Sequence, residues 1–383
     1  MNFKSKISKL NGFIGNLYAI ILSVIYDLQY KRIYKKSKKH YDKSKIPSKN
    51  EIIEYKKYWS VLSKKVNPIY LKIYSQYGGG GNKILPEDIS HNIIESILNP
   101  PRYRGYFTDK NMFDKILGEG ILPQTYLRCI KGYYYDTDYK NVEIDEYSVK
   151  NYLHDSFIVK PSTDTNSGHG VYIFEKINGV PIDIITKKEF SLTEIRSSLG
   201  DDFIIQERMK QSEFMSKLCK TSINTIRILV YRSVIDNKCH ILNSIIRIGH
   251  DGACVDNAHA GGVFIGIDEN GKLRDKVCNQ NGDISFKHND IDFRKNEFII
   301  PNWNRIIDFS RKIGSTSPYH RCLNLDVMIN EEGEPKLIEF NISTMSVWLY
   351  QFVNGPCFGE YTQEVIDYCS KNKHKIKSPY LMI

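Results

Sequence analysis

The chain has 383 residues, 41% of them hydrophobic and 26% charged, an ordinary globular composition that excludes wholesale disorder and leaves room for two or three subdomains. Its formal net charge of +10 suggests an anionic partner, yet residues 1–65 hold 16 Lys and Arg against 4 Asp and Glu, which leaves −2 for the rest. The body of the protein is therefore not basic. Since no helix-turn-helix, zinc-finger or RNP-like pattern is present, no nucleic-acid partner is expected.

The eight cysteines are scattered along the chain, without a CxxC pair or a histidine at zinc-finger spacing. This spacing argues against a zinc site. It also argues against the disulfide framework that small secreted domains need and a large reduced protein does not. The favoured compartment is the cytoplasm.

The N-terminus carries an apolar stretch over residues 12–26, GFIGNLYAIILSVIY, with lysine-rich sequence on both sides. A helix that crosses a bilayer needs about 20 apolar residues, so this stretch is short for that purpose. Two interpretations stay open. The helix packs on the protein's own body, or residues 1–45 lie peripherally on the inner membrane face, where anionic lipid attracts the basic flanks.

Helices are predicted for the next part of the chain. Pro47 and Ser48 begin one at EIIEYKKYWSVLSKK, and after the glycine-rich break YGGGGN (77–82) a second covers PEDISHNIIESILNP. A third helix is expected over residues 107–123, where two glycines and a proline end it.

Strands dominate from residue 156 onward. Residues 157–175, FIVKPSTDTNSGHGVYIFE, predict two strands joined by a flexible loop, with Lys160 at the end of the first strand. The loop is an ordinary hairpin connection or a phosphate-binding flap; it is not a Walker A sequence. Residues 222–233 and 240–250 alternate like antiparallel neighbours. Strands and helices segregate, which indicates an α+β fold in more than one lobe.

The hairpin LNLDVMINEEGEPKLIEFN places Asp326 on one strand and Glu339 with Asn341 on the return strand, where the last two share a face. Two carboxylates and an amide among buried apolar residues are costly to bury unless a cation compensates them. Hard oxygen donors select Mg²⁺, which takes further ligands from substrate phosphates. The alternative is a solvated hairpin with its acids turned outward.

A magnesium site suggests a bound nucleotide, and the loop after Lys160 is then expected to bind its phosphates. Lys160 would neutralise phosphate charge, and glycine-rich backbone would approach the phosphates closely. Gln206 and Glu207, at the end of a strand, suit recognition of adenine. The backbone amides expected to cover the phosphates belong to Ser167, Gly168, His169 and Gly170.

Together these segments resemble the ATP-grasp superfamily, specifically its sugar-transfer-associated branch in polysaccharide biosynthesis. The motifs are DK at 109–110, VKPSTDTNSGHGV, IIQE, SINTIRI, IRIGHDGACVDN followed by GG, and LDV with LIEFN, spread over about residues 77–370. The resemblance implies two α+β lobes that sandwich ATP, with a helical N-terminal extension. The implied divisions are the extension (1–66), a pre-ATP-grasp region (67–150), a lid subdomain (151–220) and a large subdomain with the magnesium site (221–383).

The resemblance also implies roles for particular residues. Lys110 and Lys160 would contact the phosphates of ATP, and the carboxylates of Asp326 and Glu339, with Asn341, would hold Mg²⁺. Many members carry an arginine two residues before the magnesium aspartate, where this chain has Asn324. The catalytic candidates are Arg227 first, then Arg247, with Lys160; the alternative for the arginines is an outward-facing position on a strand. The substrate-binding candidates are Asn224, Asp256, Asn257, Gly261 and Gly262, and Glu213 is a candidate for the ribose.

The function implied is an ATP-dependent carboxylate ligase that forms an acyl phosphate and joins an amino acid or other amine to a carboxylated sugar of a capsule or O-antigen precursor. ATP and Mg²⁺ are the expected cofactors. The alternatives are a kinase that stops at phosphoryl transfer to a sugar-like substrate, and a non-catalytic nucleotide-binding scaffold of a polysaccharide assembly complex.

Overall fold

The computed structural model describes residues 3–163, 170–253, 256 and 261–375. The chain forms two compact units. Unit 1 comprises Met1–Arg104, Leu218–Asp326 and Phe340–Ile383, and unit 2 comprises Gly105–Lys217 and Val327–Glu339. The mixture of helices and antiparallel sheets confirms the predicted α+β class. The division into extension, pre-ATP-grasp region, lid and large subdomain stays a prediction.

The α-helices of the described residues are α1 (Phe3–Ser37), α2 (Lys49–Trp59), α3 (Ile69–Tyr74), α4 (Glu87–Ile89), α5 (Glu95–Leu98), α6 (Arg104–Thr108), α7 (Phe113–Leu117), α8 (Leu192–Leu199), α9 (Glu213–Leu218), α10 (Trp303–Ser315), α11 (Val347–Val353) and α12 (Thr362–Asn372). The predicted start of α2 is correct, because the Ser48 side chain and Glu51 form a reciprocal capping box. The helix expected over 107–123 is instead broken into α6, a 3₁₀ turn at Lys110–Met112 and α7.

The first sheet belongs to unit 2 and has the strand order β3-β2-β1-β7-β4-β5-β6. Its strands are β1 (Thr125–Ile130), β2 (Tyr133–Tyr135), β3 (Asn141–Val142), β4 (Ser156–Pro161), β5 (Tyr172–Ile177), β6 (Val180–Asp183) and β7 (Phe203–Glu207). The strand predicted to end near Lys160 is β4. It pairs with β7 in a register that sets Lys160 opposite Ile204, and its face toward Phe174 and Phe203 is buried.

The second sheet has the order β12-β11-β10-β9-β8-β15-β16. Its strands, with the short hairpin β13–β14, are β8 (Thr225–Arg232), β9 (Cys239–Ile248), β10 (Val263–Ile267), β11 (Leu273–Cys278), β12 (Ile284–Ser285), β13 (Lys287–His288), β14 (Ile291–Asp292), β15 (Cys322–Ile329) and β16 (Pro335–Asn341). The predicted antiparallel pairing of β8 with β9 is confirmed. The predicted turn between β15 and β16 is also present, with Gly333 at φ +78°, a conformation that favours glycine.

Helix α1 packs one face on unit 1. Tyr30 is 2% exposed within the core, and its ring lies edge-on to Tyr70 and Tyr74. The Tyr30 and Tyr74 hydroxyl groups are 2.6 Å apart, and Tyr30 also donates to Glu87. The interpretation of α1 as a helix on the protein's own body is therefore correct for this face. Among the described residues, no helix has the length and apolar character needed to cross a membrane.

A buried charge network lies beneath α1. His91 contacts Glu95 through Nδ1 at 2.9 Å and Glu87 through Nε2 at 3.5 Å, and the ring of Tyr26 stacks on the imidazole. Burial alone would lower the pKa of His91, but the two carboxylates raise it to about 10. Because the folded pKa is raised, this histidine contributes stability below its ordinary pKa, and the contribution is lost as the pH rises through about 10.

We expect Tyr30→Ala to lower the free energy of unfolding by about 3–5 kcal/mol, because it leaves a cavity in a packed aromatic cluster and removes two hydrogen bonds. Chemical denaturation monitored by circular dichroism measures this loss. Leu28→Ala is the control on the same helix, since Leu28 is exposed and its truncation should cost little. Equal stability of the wild type and Tyr30→Ala would show that α1 is not part of the core.

Candidate active site

Charged side chains of unit 1 form a row across adjacent strands of the second sheet. Arg227 on β8 donates from Nε and Nη2 to the two carboxylate oxygens of Asp326 on β15, each at 2.8 Å. Arg247 on β9 lies 3.4 Å from Asp326, and Thr225, opposite Arg247 in the β8–β9 register, accepts two hydrogen bonds from it. We call Thr225, Arg227, Arg247, Asp256 and Asp326 the arginine–aspartate row.

The two carboxyl groups of the row have pKa values that are shifted in opposite directions. Burial alone would raise the pKa of the Asp326 carboxyl, but Arg227 and Arg247 outweigh it and hold the pKa below its usual range. For Asp256 burial prevails and the pKa is raised, although Arg247 and the hydrogen bond from the Thr225 hydroxyl oppose the shift. The Thr225 backbone amide also donates to this carboxylate, at 2.9 Å. The row thus holds a firmly ionised carboxylate beside one that is easier to protonate.

Asn341 extends the row onto β16, with its Nδ2 atom 3.5 Å from Asp326 Oδ2. Carboxylate and amide oxygens are the donors that Mg²⁺ prefers, so the chemistry of this set fits the predicted ion. In the described part of the chain, no group of three or more His, Cys, Asp or Glu side chains is arranged to hold a metal. Glu339, the third predicted ligand, belongs to unit 2, and the complete ligand set stays a prediction.

Asn324, where the resemblance leads us to expect an arginine, has a structural role. It is buried, accepts a hydrogen bond from the Tyr350 hydroxyl at 2.6 Å and donates to the Met345 carbonyl at 2.9 Å. The backbone amide of Met345 also donates to Glu95, the acid that contacts His91. Asn324 thereby holds the segment that follows Asn341, while the cations at Asp326 come from the neighbouring strands.

A second charged group lies in unit 2 and consists of Lys110, Lys160 and Glu339, which we call the lysine–glutamate cluster. Lys110 Nζ lies 3.0 Å from Glu339 Oε1. The 3₁₀ turn that carries Lys110 is tied to the end of β4, because the Lys110 amide donates to the Ser162 carbonyl at 2.8 Å. Both predicted phosphate-contacting lysines therefore belong to one cluster.

Lys160 is buried, with 7% of the residue exposed. Burial first, and then the charge of Lys110, lower its pKa to about 8, while Glu339 opposes the shift. A buried cation of this kind is destabilising in the absence of a partner, and it is suited to receive an anion.

The other residues of unit 2 that are predicted to bind the nucleotide differ in burial and in their hydrogen-bond partners. Gln206 is buried and donates to the Thr125 hydroxyl, and the Glu207 carboxylate accepts from the Gln124 amide. Glu213 is exposed and pairs with Lys217. Gly170 has φ +76° and backbone close to Pro161, where a Cβ atom would be crowded. Their roles toward ATP stay predictions.

Asn224 is fully buried and joins two loops, since its side chain donates to the Cys219 carbonyl and accepts from the Gly249 amide. Gly261 has φ +88°, and a Cβ atom there would lie 3.1 Å from the His250 ring; Gly262 is buried. Four further predicted residues lie outside the described residues: Ser167, Gly168, His169 and Asn257.

Thr225 was not predicted as a site residue, although it connects Arg247 with Asp256. A signal for it exists in the sequence. Thr225 and Arg227 are two residues apart on one strand, so the period of two sets them on the same face.

Residues 90–366 match an ATP-grasp family, which defines the class of the protein as ATP-grasp. The chain belongs to the sugar-transfer associated ATP-grasp family. The match confirms the resemblance stated from the sequence and the ATP-grasp fold.

Solved structures with a similar course of the chain include three ligases. The ATP-grasp ligase PsnB, complexed with precursor peptide PsnA2 and AMPPNP, has 12% identity and a TM-score of 0.39, over 71% of this chain and 62% of its own. For D-alanine–D-alanine ligase from Bacillus anthracis the identity is 13% and the TM-score 0.37, over 71% and 69%. For purK, an N5-carboxyaminoimidazole ribonucleotide synthetase in an ADP complex, the identity is 11% and the TM-score 0.37, over 66% of this chain and 50% of the purK chain. A search of the curated proteins found no match.

Proposed function

We propose that this protein is an ATP-dependent carboxylate ligase that joins an amine, such as an amino acid, to a carboxylated sugar in capsule or O-antigen biosynthesis. The observation that carries the proposal is the bidentate contact of Arg227 with Asp326, with Arg247 alongside, in a chain of the sugar-transfer associated ATP-grasp family. Phosphoryl transfer from ATP needs cations close to a metal-binding carboxylate, and the two arginines beside Asp326, which we propose as a metal ligand, support this function.

The proposed magnesium ligands are Asp326, Glu339 and Asn341. When bound, Mg²⁺ would neutralise phosphate charge and orient the triphosphate. In the structure the two carboxylates accept from cationic side chains, Asp326 from Arg227 and Glu339 from Lys110. We propose that these cations turn to phosphate oxygens in the loaded enzyme, so that each buried charge keeps a partner in both states.

The chemistry proceeds in two steps. A carboxylate oxygen of the acid substrate attacks the γ-phosphorus of ATP, the bond to the β-phosphate oxygen breaks, and ADP leaves. The amine nitrogen then attacks the acyl carbon, the bond to the phosphate oxygen breaks, and inorganic phosphate and a proton are released. Arg227 and Arg247 stabilise the charge on the transferring group, while Lys110 and Lys160 hold the phosphates in position.

Peripheral contact of residues 1–45 with the inner membrane face is part of this proposal, because lysine-rich sequence flanks the apolar stretch 12–26 and would be attracted by anionic lipid. The acid and the amine are otherwise defined only by class.

An isotope experiment tests the proposed reaction. Purified protein is incubated with ATP, Mg²⁺, a panel of amino acids and uronic acids whose carboxylates carry ¹⁸O. We expect ADP and phosphate only when both substrates are present, with ¹⁸O transferred from the carboxylate to the released phosphate, because the acyl phosphate shares that oxygen. A stable phosphorylated sugar would establish a kinase instead. Nucleotide binding without turnover on any pair of the panel would support the scaffold.

A further inference from the structure

Helix α1 has two faces of different character. One face packs on unit 1 through aromatic residues and polar contacts. Tyr30 is in the core, Tyr26 stacks on His91, and Ser23 accepts a hydrogen bond from Asn92 at 3.1 Å. This face fixes the rotation of the helix about its own axis, and so it determines which side chains turn away from the body.

The opposite face carries a continuous apolar stripe. Its six side chains are 48–61% exposed and follow the helical spacing i, i+3, i+4, i+7, i+8 and i+11, which makes them neighbours along one side. At a rise of about 1.5 Å per residue the stripe is about 16 Å long. We call it the α1 stripe: Leu17, Ile20, Ile21, Val24, Ile25 and Leu28.

The same face becomes basic where the stripe ends. Lys31, Arg32 and Lys35 follow Leu28 at i+3, i+4 and i+7, so they continue the α1 stripe, and all three are exposed. Lys31 pairs with Asp27 at 2.5 Å, which offsets its charge, so the net positive charge of this surface comes from Arg32 and Lys35. One side of a single helix therefore presents about three turns of apolar surface followed by two turns of cationic surface.

We infer that this face of α1 lies on a lipid bilayer whose surface contains anionic lipid, with the α1 stripe among the acyl chains and the basic turns at the headgroups. This inference deepens the membrane contact that forms part of the proposed function and names the surface responsible. Each basic residue near an anionic surface contributes about 1 kcal/mol, and the apolar side chains add the favourable transfer of their exposed area.

Charge complementarity decides against a second copy of the chain as the occupant. Residues 17–39 contain one acidic residue, Asp27, and it is engaged by Lys31 and by the Asn67 side chain. Two such faces would bring like charges together without carboxylates to compensate them, whereas an anionic bilayer provides negative charge at the headgroups.

Vesicle co-sedimentation of the full-length chain tests the inference. The vesicles are phosphatidylcholine alone, or phosphatidylcholine with one quarter phosphatidylglycerol, at low and high salt. We expect binding to the anionic vesicles that weakens with salt, and a loss of at least about tenfold in the triple variant Ile20→Gln/Val24→Gln/Ile25→Gln. The charge variant Arg32→Glu/Lys35→Glu should lose binding to a similar extent, because it removes the electrostatic part.

The matched control replaces three exposed apolar side chains elsewhere in unit 1, in Ile53→Gln/Val61→Gln/Ile235→Gln, and should bind like the wild type. Equal vesicle binding by the stripe variant and this control overturns the inference. Equal binding of the wild type to neutral and to anionic vesicles also overturns it. A wild-type dimer in light scattering that the stripe variant abolishes would identify a second copy as the occupant and would also overturn it. Since turnover is measured on soluble substrates without vesicles, failure of the membrane contact and failure of the ligase proposal remain distinguishable.

Discussion

Asp326→Asn is expected to lower turnover by at least about 10²–10³-fold and to abolish Mg²⁺-dependent binding of ATP in calorimetry. The same change should destabilise the protein by about 3–5 kcal/mol, because it removes the charge of a buried carboxylate that accepts two hydrogen bonds from Arg227 and lies 3.4 Å from Arg247. Because the pKa of Asp326 is lowered, its contribution to stability is present at neutral pH and is lost only in acid, as the pH falls through the lowered pKa.

The double variant Asp326→Asn/Arg227→Met distinguishes a structural role of Asp326 from a catalytic one. Stability should recover in part, since the arginine that donated to the Asp326 carboxylate is replaced as well, while turnover stays lost. Recovery of turnover together with stability would contradict the assignment of Asp326 as a metal ligand. Asp292→Asn is the control within unit 1: it also breaks a carboxylate–arginine pair, with Arg294, but leaves the arginine–aspartate row intact, and turnover should not change.

Lys160→Met is expected to make the nucleotide-free protein more stable and much less able to bind ATP. The buried ammonium has its pKa lowered from 10.5 to about 8, so removing the charge should raise the free energy of unfolding at pH 7 by about 3 kcal/mol. A charge-assisted contact with phosphate is lost at the same time, which should weaken ATP binding by about 10–100-fold. Thermal denaturation and calorimetry measure the two effects.

The stability gain of Lys160→Met should become smaller as the pH rises. Between about pH 8 and 10.5 the unfolded chain still binds the proton that folded Lys160 has released, so the wild type gains stability with pH relative to the variant. The gap between the two proteins should therefore close over that range. A gap that is constant with pH would contradict burial of the charge as the cause. Lys150→Met, at an exposed lysine of unit 2, should change neither stability nor binding.

The strand pattern could be read from the sequence because it is local. Alternating apolar residues predicted β4, β7, β8 and β9, and the glycine turn predicted the β15–β16 connection. The motif order also carried the family, which the match over residues 90–366 confirms. The helix predicted over 107–123 was wrong in its continuity. At the break, Lys110–Met112, the Lys110 amide donates to the carbonyl of Ser162, which is distant in the chain, and local sequence does not predict such a contact.

The sequence by itself determined which residues carry charge, which strands hold them and which neighbours two apart share a face, because these properties follow from residue type and the period of two. Only the tertiary structure decided that Arg227 donates to Asp326 and that Lys110 contacts Glu339. It also decided which side of α1 is exposed. Arg227 and Asp326 are separated by 99 residues and meet through the order and register of strands in a sheet. Such pairings are set by the packing of the whole unit, so composition and periodicity do not contain them.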